Sequence, residues 1–544
     1  MAGAVTSPDG GSRAVVRSAT GMGAAAAVSR VVGGGRVLVI AAVLGTTYLG
    51  NAFQSSNTVS NLLFELLAAG ALSAVLVPTF VGHLDRGDQP GAERLAGELL
   101  GVALWVLGLV SIVGMLAAPW LADVLTVAVE DPGIAQQQRD LTTFLLWFFI
   151  PQVVLYGLGA IATAVLHARR SFVVPAMAPI GNTVVMVAFL FAFRVAAGPA
   201  PGLDLTTNEK VLLGLGGTLG VVAFVAAPTI AVWRSGFRLV PRFGRTHEGL
   251  APLLRLSGWA SVQHGFAALL YGAAIIAGAA VEGGVVAYQV GWFLFLAPYG
   301  IIAQPIHTTI LPELVEEHDA GDTTAFAASV RWASDSMAVL LVPLSALCVA
   351  LAVPAMSVLA FGQASGSQSV DLLAAALASL GIGLLPYGMF FLLARVFYVL
   401  GDSRSPALWG AGASLVGVAL MLVAGATTSS ATTVLALGLA HSISFLIGCL
   451  ALVVALHRRI GHWVLPAALP GCALVATVAG AVAWAGYEAW SPQGRGLDVV
   501  ALAVLVPLFG AVYLGGTKLL GISVTQRLPH GGRGGAGAPE GAGA

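Results

Sequence analysis

The sequence predicts an all-α polytopic membrane protein with about fourteen transmembrane helices, and three observations support this fold class. The chain has 544 residues, of which 58% are hydrophobic and only 9% are charged, whereas about a quarter of the residues in soluble domains are charged. Its mean hydropathy is +0.90. Apolar segments of spanning length recur along the chain, and the basic residues gather in alternate connecting loops.

A membrane-spanning helix needs about 20 mostly apolar residues, and the chain offers such segments from its beginning to its end. The predicted helices 1 to 14 are 30–53, 59–82, 99–122, 141–166, 172–195, 211–233, 252–280, 283–311, 333–360, 372–400, 406–427, 431–456, 463–487 and 497–520. No connecting loop is long enough to fold as a domain. The protein is therefore expected to act within the membrane.

The distribution of basic residues predicts how these helices are oriented. Cytoplasmic loops of membrane proteins carry an excess of Lys and Arg. With both termini in the cytoplasm, twenty-one of the 25 basic residues face the cytoplasm, and only Arg139, Arg194, Lys210 and Arg495 face the opposite side. A missed or additional helix would reverse every later loop, so the bias supports the number of helices as well as the orientation.

A short repeat predicts that the helices form two similar halves. PTFVGHLDRGD at 78–88 and PELVEEHDAGD at 312–322 share five residues at a constant offset of 234. The sequence HARRSFVVPA after helix 4 has a looser counterpart in GDSRSPA after helix 10. Five matches can also arise by chance, because Pro, Gly and Asp commonly end helices. As a true repeat, they indicate two parallel six-helix lobes, with the working cavity between them.

This organisation divides the chain into six parts. They are a disordered cytoplasmic tail at 1–28, a first lobe of helices 1–6 at 29–233, a basic cytoplasmic linker at 234–251, a second lobe of helices 7–12 at 252–456, two additional helices at 457–521, and a disordered cytoplasmic tail at 522–544. Both tails are of low complexity and have little to bury. The N-terminal tail lacks the compact apolar core of a cleaved signal peptide.

The sequence contains no motif for catalysis or for a bound cofactor. We find no phosphate-cradling GxxxxGK[ST], no HExxH and no GxSxG with its partner residues. The three cysteines lie inside apolar segments and offer neither a disulfide framework nor paired metal ligands. The net charge of zero gives no attraction to nucleic acid. We therefore expect a protein that is not an enzyme, has no metal or cofactor, and does not use ATP within this chain.

Two arginines at the start of helix 1 are candidates for binding an anion. Arg30 and Arg36 are six residues apart, about 9 Å along a helix axis. One interpretation is that both guanidinium groups face a cavity between the lobes and bind phosphate through paired hydrogen bonds. The alternative is that both are ordinary cytoplasmic anchors that extend to the lipid headgroups.

Helix 2 carries a carboxylate, Glu65, together with Asn61. An ionised group in a membrane helix is costly and usually faces protein or a water-filled cavity, so Glu65 is a candidate binding residue and Asn61 accompanies it. Two alternatives stay open. Glu65 can lie near the outer interface, or it can form a purely structural ion pair with an arginine.

Glycines and prolines predict where the helices bend. Hinge or gating positions are expected where freed backbone groups line a cavity, although prolines are frequent in membrane helices in any case. The predicted positions are Gly33, Gly34, Gly35, Gly70, Pro78, Pro298 and Pro305.

Six segments together carry a resemblance to a known family. SRVVGGGR at 29–36 is similar to the SRxxGxxR opening of the MviN/MurJ family of lipid II flippases, within the multidrug/oligosaccharidyl-lipid/polysaccharide exporter superfamily. The likeness continues, in order, in NLLFELLAAGALSAVLVP (61–78), HARRSFVVPAMAPIGN (167–182), RSGFRLVPR (234–242), APYGIIAQPIHTTILP (297–312) and RVFYVLGDSRSP (395–406). The sequences of these motifs resemble those of the actinobacterial branch of the family.

The resemblance implies a function in cell-wall synthesis at the bacterial inner membrane. Members move the undecaprenyl-pyrophosphate-linked peptidoglycan precursor, lipid II, from the inner to the outer leaflet by alternating access. Arg30 and Arg36 match family arginines that bind the pyrophosphate. The implied partners are lipid II or a similar polyprenyl-pyrophosphate glycolipid, membrane lipids and proteins of cell-wall synthesis. A coupling ion is open and not identified by the sequence.

The chain also departs from the better-known Gram-negative members. They carry two arginines where this chain has Phe64 and Glu65, another where it has Phe293, and an aspartate where it has Asn51. Our hypothesis is that Glu65 faces the cavity and pairs alternately with Arg30 or Arg36 until pyrophosphate arrives. The alternative functions are export of another polyprenyl-linked glycan, ion-coupled drug efflux, and a non-transporting scaffold for cell-wall enzymes.

Overall fold

The computed structural model describes residues 28–65, 77, 80–243 and 250–522, and within 250–263 it describes the side chains of Trp259 and Val262 only. The described residues form helices and turns without any strand, which confirms the predicted all-α fold class. Gly70 and Pro78, two of the predicted hinge positions, lie outside the described residues.

Twenty α-helices follow one another along the described chain. The first nine are α1 (28–44), α2 (Tyr48–Phe64), α3 (80–85), α4 (Gln89–Leu116), α5 (Ala118–Thr126), α6 (Pro132–Phe149), α7 (Gln152–Ala168), α8 (Val173–Ala197) and α9 (Thr207–Arg234). The others are α10 (Leu250–Gly278), α11 (Gly284–Pro298), α12 (Gln304–Asp319), α13 (Thr323–Ala350), α14 (Ala352–Leu359), α15 (Ser367–Gly381), α16 (Leu384–Val399), α17 (Arg404–Thr427), α18 (Ser430–Ile460), α19 (Leu469–Trp490) and α20 (Arg495–Leu519). Each of the fourteen predicted segments overlaps helix among the described residues, although 30–53 covers most of α1 and the beginning of α2.

Ten helices or continuous helix pairs in the described ranges are long and apolar enough to cross a membrane. A further pair, α15 and α16, is bent by 43° and makes an eleventh span if it is counted as one. The remaining predicted segments, 30–53, 59–82 and 252–280, fall on helices that are shorter or only partly described. The chain is therefore a multi-pass membrane protein.

The predicted boundary between helices 1 and 2 was wrong. The prediction placed it at 54–58, but the chain turns at 45–47, where Gly45 has a φ of +73°. Thr47 then caps α2, because its side chain accepts a hydrogen bond from the backbone N–H of Gly50. The apolar residues that follow the turn are buried against protein. Hydropathy alone therefore assigned them to the preceding span.

The predicted repeat appears as the same turn in two places. Gly87 and Gly321 have φ values of +72° and +71°, a conformation that glycine adopts without strain. The next residue is an aspartate in both cases, and it caps the following helix. The carboxylate of Asp88 accepts from the N–H of Gly91, and that of Asp322 accepts from the N–H groups of Thr324 and Ala325. The matched Gly-Asp pairs thus end one helix and begin the next in the same way.

The core is built mainly within each half of the chain. Buried clusters join α1, α2, α6 and α8, and also α4, α7 and α9, in the first half. The largest cluster lies in the second half, between α10 and the end of α18. The last two helices pack on α13, where the hydroxyl of Tyr513 donates to the carbonyl of Val339 at 2.8 Å. The central cavity lies where the two halves face each other.

Candidate substrate cavity

A cavity of about 520 Å³ lies between the two halves of the chain. Its volume falls within the range of small-molecule binding sites. Residues from the first half form one wall, and residues of α10, α11, α16, α18 and the turn after α11 form the other. We call these the first-half wall and the second-half wall.

The first-half wall is polar because one face of α2 is polar. Its residues recur at spacings of three and four, which places them in one line along a helix. They are Gln54, Asn57, Thr58 and Asn61, followed by Glu65 immediately after the helix. The sequence analysis identified Asn61 and Glu65 but missed the other three. The spacing of polar residues within an otherwise apolar segment is the signal that reveals them.

Arg36 lies in the first-half wall, at the boundary between two cavities. It lines the central cavity and also a cavity of about 220 Å³ within the first half. Its Nε is shielded from solvent and has no hydrogen-bond partner among the described residues. A buried charge without a partner is costly in a membrane protein. The guanidinium group of Arg36 is therefore available to an anion in the cavity.

Arg30 does not line the central cavity in this structure. Its side chain is exposed, and its Nη2 donates to Oε1 of Gln304 at 2.9 Å. The guanidinium group lies against Gly300, where any Cβ would clash with it. Gly300 belongs to a π-helical turn, Tyr299–Ala303, which is flanked by the predicted hinge residues Pro298 and Pro305. Arg30 thus joins α1 to the beginning of α12.

Glu65 lines the central cavity, and its hypothesised alternate pairing with Arg30 or Arg36 stays a prediction. Among the described residues it forms no hydrogen bond or salt bridge with Arg30 or Arg36. His264 of α10 lines the same cavity from the second half. The amide of Asn61 donates to the carbonyl of Asn57 at 3.4 Å and lines both cavities beside Arg36.

The three glycines at the start of α1 have different surroundings. A Cβ on Gly34 would lie 2.5 Å from the ring of Phe293 in α11, whereas Gly33 and Gly35 face open space. Gly34 therefore allows the two halves to approach closely in the middle of α1. Phe293 fills that contact.

The second-half wall is aromatic. Trp292 lies at its centre, with ring centroids 5.2 Å from Phe295 and 4.7 Å from His441. The aromatic residues of this wall are Tyr271, Trp292, Phe293, Tyr299, Tyr387, Phe391, His441 and Phe445. None was among the predicted site residues. Aromatic residues at helical spacing in apolar segments are typical of a core, so the sequence alone does not distinguish the two roles.

The two halves also meet at both ends of α1. We call the contacts around residues 45–51 the Thr46 end and the contact between Arg30 and Gln304 the Arg30 end. The two ends are separated by about 21 Å, from the rise per residue of a helix. At the Thr46 end, the amide of Asn51 donates to Val281 O at 2.8 Å and accepts from Val285 N at 3.1 Å. There, Thr46 also donates to the hydroxyl of Ser369 at 2.6 Å, and Gln363 donates to Val43 O.

Comparison with known proteins agrees with this architecture. The family described as lipid II flippase MurJ matches residues 40–503. A probable lipid II flippase MurJ from Rhizobium tropici is 28% identical over 447 residues, covering 81% of each chain.

Two solved structures share the fold. A lipid II flippase MurJ in an inward closed conformation aligns with a TM-score of 0.71 and 15% identity, covering 92% of this chain and 98% of the other. A multidrug resistance MATE transporter of the MOP superfamily, in an inward-facing conformation, aligns with a TM-score of 0.62 and 14% identity, covering 80% and 94%. Since the family match spans most of the sequence, this chain belongs to the lipid II flippase MurJ family.

Proposed function

We propose that this protein moves lipid II across the bacterial inner membrane and that Arg36 binds its pyrophosphate in the central cavity. The observation that carries the proposal is the unpartnered Nε of Arg36 at a cavity between two halves of a MurJ-family chain. Pyrophosphate supplies the missing negative charge, and a guanidinium group binds phosphate oxygens in pairs. The amides of Asn57 and Asn61 add further hydrogen-bond donors on the same side of the cavity.

The two ends of the interface support an alternating-access mechanism, in which each end opens in turn to one side of the membrane. The bias of basic residues supports a cytoplasmic position for both termini. The Arg30 end then faces the cytoplasm, where lipid II is made. The headgroup enters there after Arg30 leaves Gln304, and Arg30 then becomes a second ligand of the pyrophosphate. Release to the outer leaflet requires the Thr46 end to open.

Glu65 acts in the return step, in which the empty protein goes back to its starting conformation. After the pyrophosphate leaves, Arg30 or Arg36 again lacks a negative partner. We assign Glu65 as that partner in a conformation that follows release. The carboxylate lowers the cost of an empty cationic cavity. It also competes with any pyrophosphate that would rebind from the outer side.

The test replaces the native flippase of a depleted bacterial strain with this chain and measures lipid II on the outer leaflet. Arg36→Ala should lower the rate of exposure about 10-fold or more, because a hydrogen bond to a charged group contributes about 1.5–3 kcal/mol. Arg495→Ala is the matched control, since Arg495 is exposed and does not line the cavity. Full exposure by an Arg36→Ala protein that reaches the membrane would refute the pyrophosphate role.

A further inference from the structure

We propose that the second-half wall binds the sugar rings of the cargo headgroup, with Trp292 as the stacking surface and His441 as a hydrogen-bonding partner. This inference rests on the proposed function, because it assigns a second part of the same cargo to the opposite wall of the cavity. The ligand class is a hexosamine-type pyranose attached to a polyprenyl pyrophosphate.

The rings of the second-half wall hold one another in place. Trp292 is surrounded by Tyr271, Phe295, Tyr387 and His441, with centroid distances between 4.7 and 5.9 Å. Trp292 and Tyr271 are half-buried and line the cavity, so part of each ring surface faces its interior. Rings fixed by their neighbours lose little conformational entropy when a ligand binds. The wall is thus a preformed flat surface.

His441 provides a second, independent indication of a ligand. Its side chain is only 3% exposed, and its Nδ1 pairs with the hydroxyl of Tyr288 at 2.9 Å. Its Nε2 is buried and has no hydrogen-bond partner among the described residues, although His441 lines the cavity. A buried polar atom without a partner costs about 1–3 kcal/mol. A ligand hydroxyl satisfies this atom in either tautomer, because a hydroxyl both donates and accepts.

One wall of the cavity is aromatic and the facing wall is polar, and this difference indicates the class of ligand. A pyranose ring carries C–H groups on its faces and hydroxyls around its edge. Its face therefore packs on Trp292 while its edge reaches the amides of Gln54 and Asn57 across the cavity. A polyprenyl chain in the same place would leave those amides without partners, which is unfavourable. The sugar part of the headgroup matches both walls.

The experiment measures the affinity of the purified full-length protein in lipid nanodiscs for two probes. One probe is lipid II, and the other is undecaprenyl pyrophosphate, which has no sugar. The wild-type protein should bind lipid II more tightly. Trp292→Ala should reduce that preference about 2-fold to 10-fold, the range measured for aromatic contacts, and leave the affinity for undecaprenyl pyrophosphate unchanged. Trp292→Phe keeps a ring and should retain most of the preference.

Two further variants make the result specific. His441→Phe keeps an aromatic ring but removes Nε2, and it should also reduce the preference for lipid II. Trp105→Ala, on an exposed position of α4 outside the cavity, should change neither affinity. Equal wild-type affinity for both probes would overturn the proposal. A Trp292→Ala protein that loses affinity for both probes equally would also overturn it, because the ring would then have only a structural role.

The Arg36→Ala variant distinguishes a failure of this inference from a failure of the proposed function. It should weaken the binding of both probes by the same factor, because both carry pyrophosphate. If it changes neither affinity while Trp292→Ala still removes the sugar preference, the pyrophosphate role fails and the sugar site stands. If the wild-type protein binds neither probe, both proposals fail.

Discussion

The two ends of the interface between the halves are held together by very different contacts. The Thr46 end has several hydrogen bonds, and Asn51, which is 0% exposed, makes two of them with backbone groups. Among the described residues, the Arg30 end has one hydrogen bond, between an exposed arginine and Gln304. Buried polar groups are expensive to leave unpaired, whereas an exposed charged contact contributes little. The Arg30 end therefore opens more easily in this conformation.

The surroundings of the glycines also differ between the two ends. Gly283 has a φ of +76°, and a Cβ there would overlap Thr46, while a Cβ on Gly362 would overlap the carbonyl of Ala42. Backbone therefore approaches backbone at the Thr46 end without intervening side chains. Among the described glycines at the Arg30 end, Gly300 makes a close approach, and its neighbour is a flexible arginine side chain. A flexible contact yields at low cost, and a backbone contact does not.

The largest effect is expected from locking the Thr46 end. A T46C/S369C protein, with the three native cysteines replaced by alanine, should form a disulfide, because the two hydroxyl oxygens are 2.6 Å apart and a disulfide needs a Cβ separation of about 3.5–4.5 Å. The oxidised protein should expose no lipid II on the outer leaflet. A reductant should restore exposure to the level of the two single variants.

This outcome would show that the Thr46 end must separate during transport. The single variants T46C and S369C are the controls for loss of the native hydrogen bond. Unchanged exposure in the fully oxidised protein would contradict alternating access through this end, since the cross-link would then have been harmless.

The second-largest effect is expected from disturbing the close approach between the backbones of Gly283 and Thr46. Gly283→Ala places a methyl group against Thr46 and should open the Thr46 end, because overpacking costs about 1–3 kcal/mol. The measurement is the rate at which a thiol reagent modifies Ser369→Cys, which should rise between about 5-fold and 100-fold. Gly236→Ala is a matched control. Gly236 has the same φ of +76° but open space around it, so its variant should leave the rate unchanged.

Much of the fold was predictable because lipid imposes simple requirements. A span needs apolar length, so each of the fourteen predicted segments overlaps helix in the part of the chain that the structure describes. Turn chemistry is local, so the shared Gly-Asp sequences at 87–88 and 321–322 adopt the same geometry. The first boundary failed because Leu49, Ala52 and Phe53 are apolar for another reason: they are buried against α6 and α8. Hydropathy cannot distinguish a lipid neighbour from a protein neighbour.

The candidate site was predictable only in part. Polar residues on an apolar helix are visible in the sequence, so Asn61, Glu65 and Arg36 were identified, and all three line the cavity. Arg30 resembles Arg36 in sequence but not in environment. Its partner Gln304 is 274 residues away, and this pairing depends on how the halves pack. The aromatic wall was missed for the same reason, because the faces of α11 and α16 line a cavity only where α2 lies opposite them.

The smallest effect is expected at the Arg30 end. Gln304→Ala removes the partner of Arg30 without removing its charge, so the Arg30 end should open more often. An exposed charged contact contributes about 0.2–1 kcal/mol, which predicts a rise of only about 1.4-fold to 5-fold in the rate of thiol modification at Leu62→Cys, a residue that lines the cavity. Gln136→Ala, on an exposed residue of α6, should change nothing. A rise as large as that of Gly283→Ala at its own end would mean that both ends are held with similar strength.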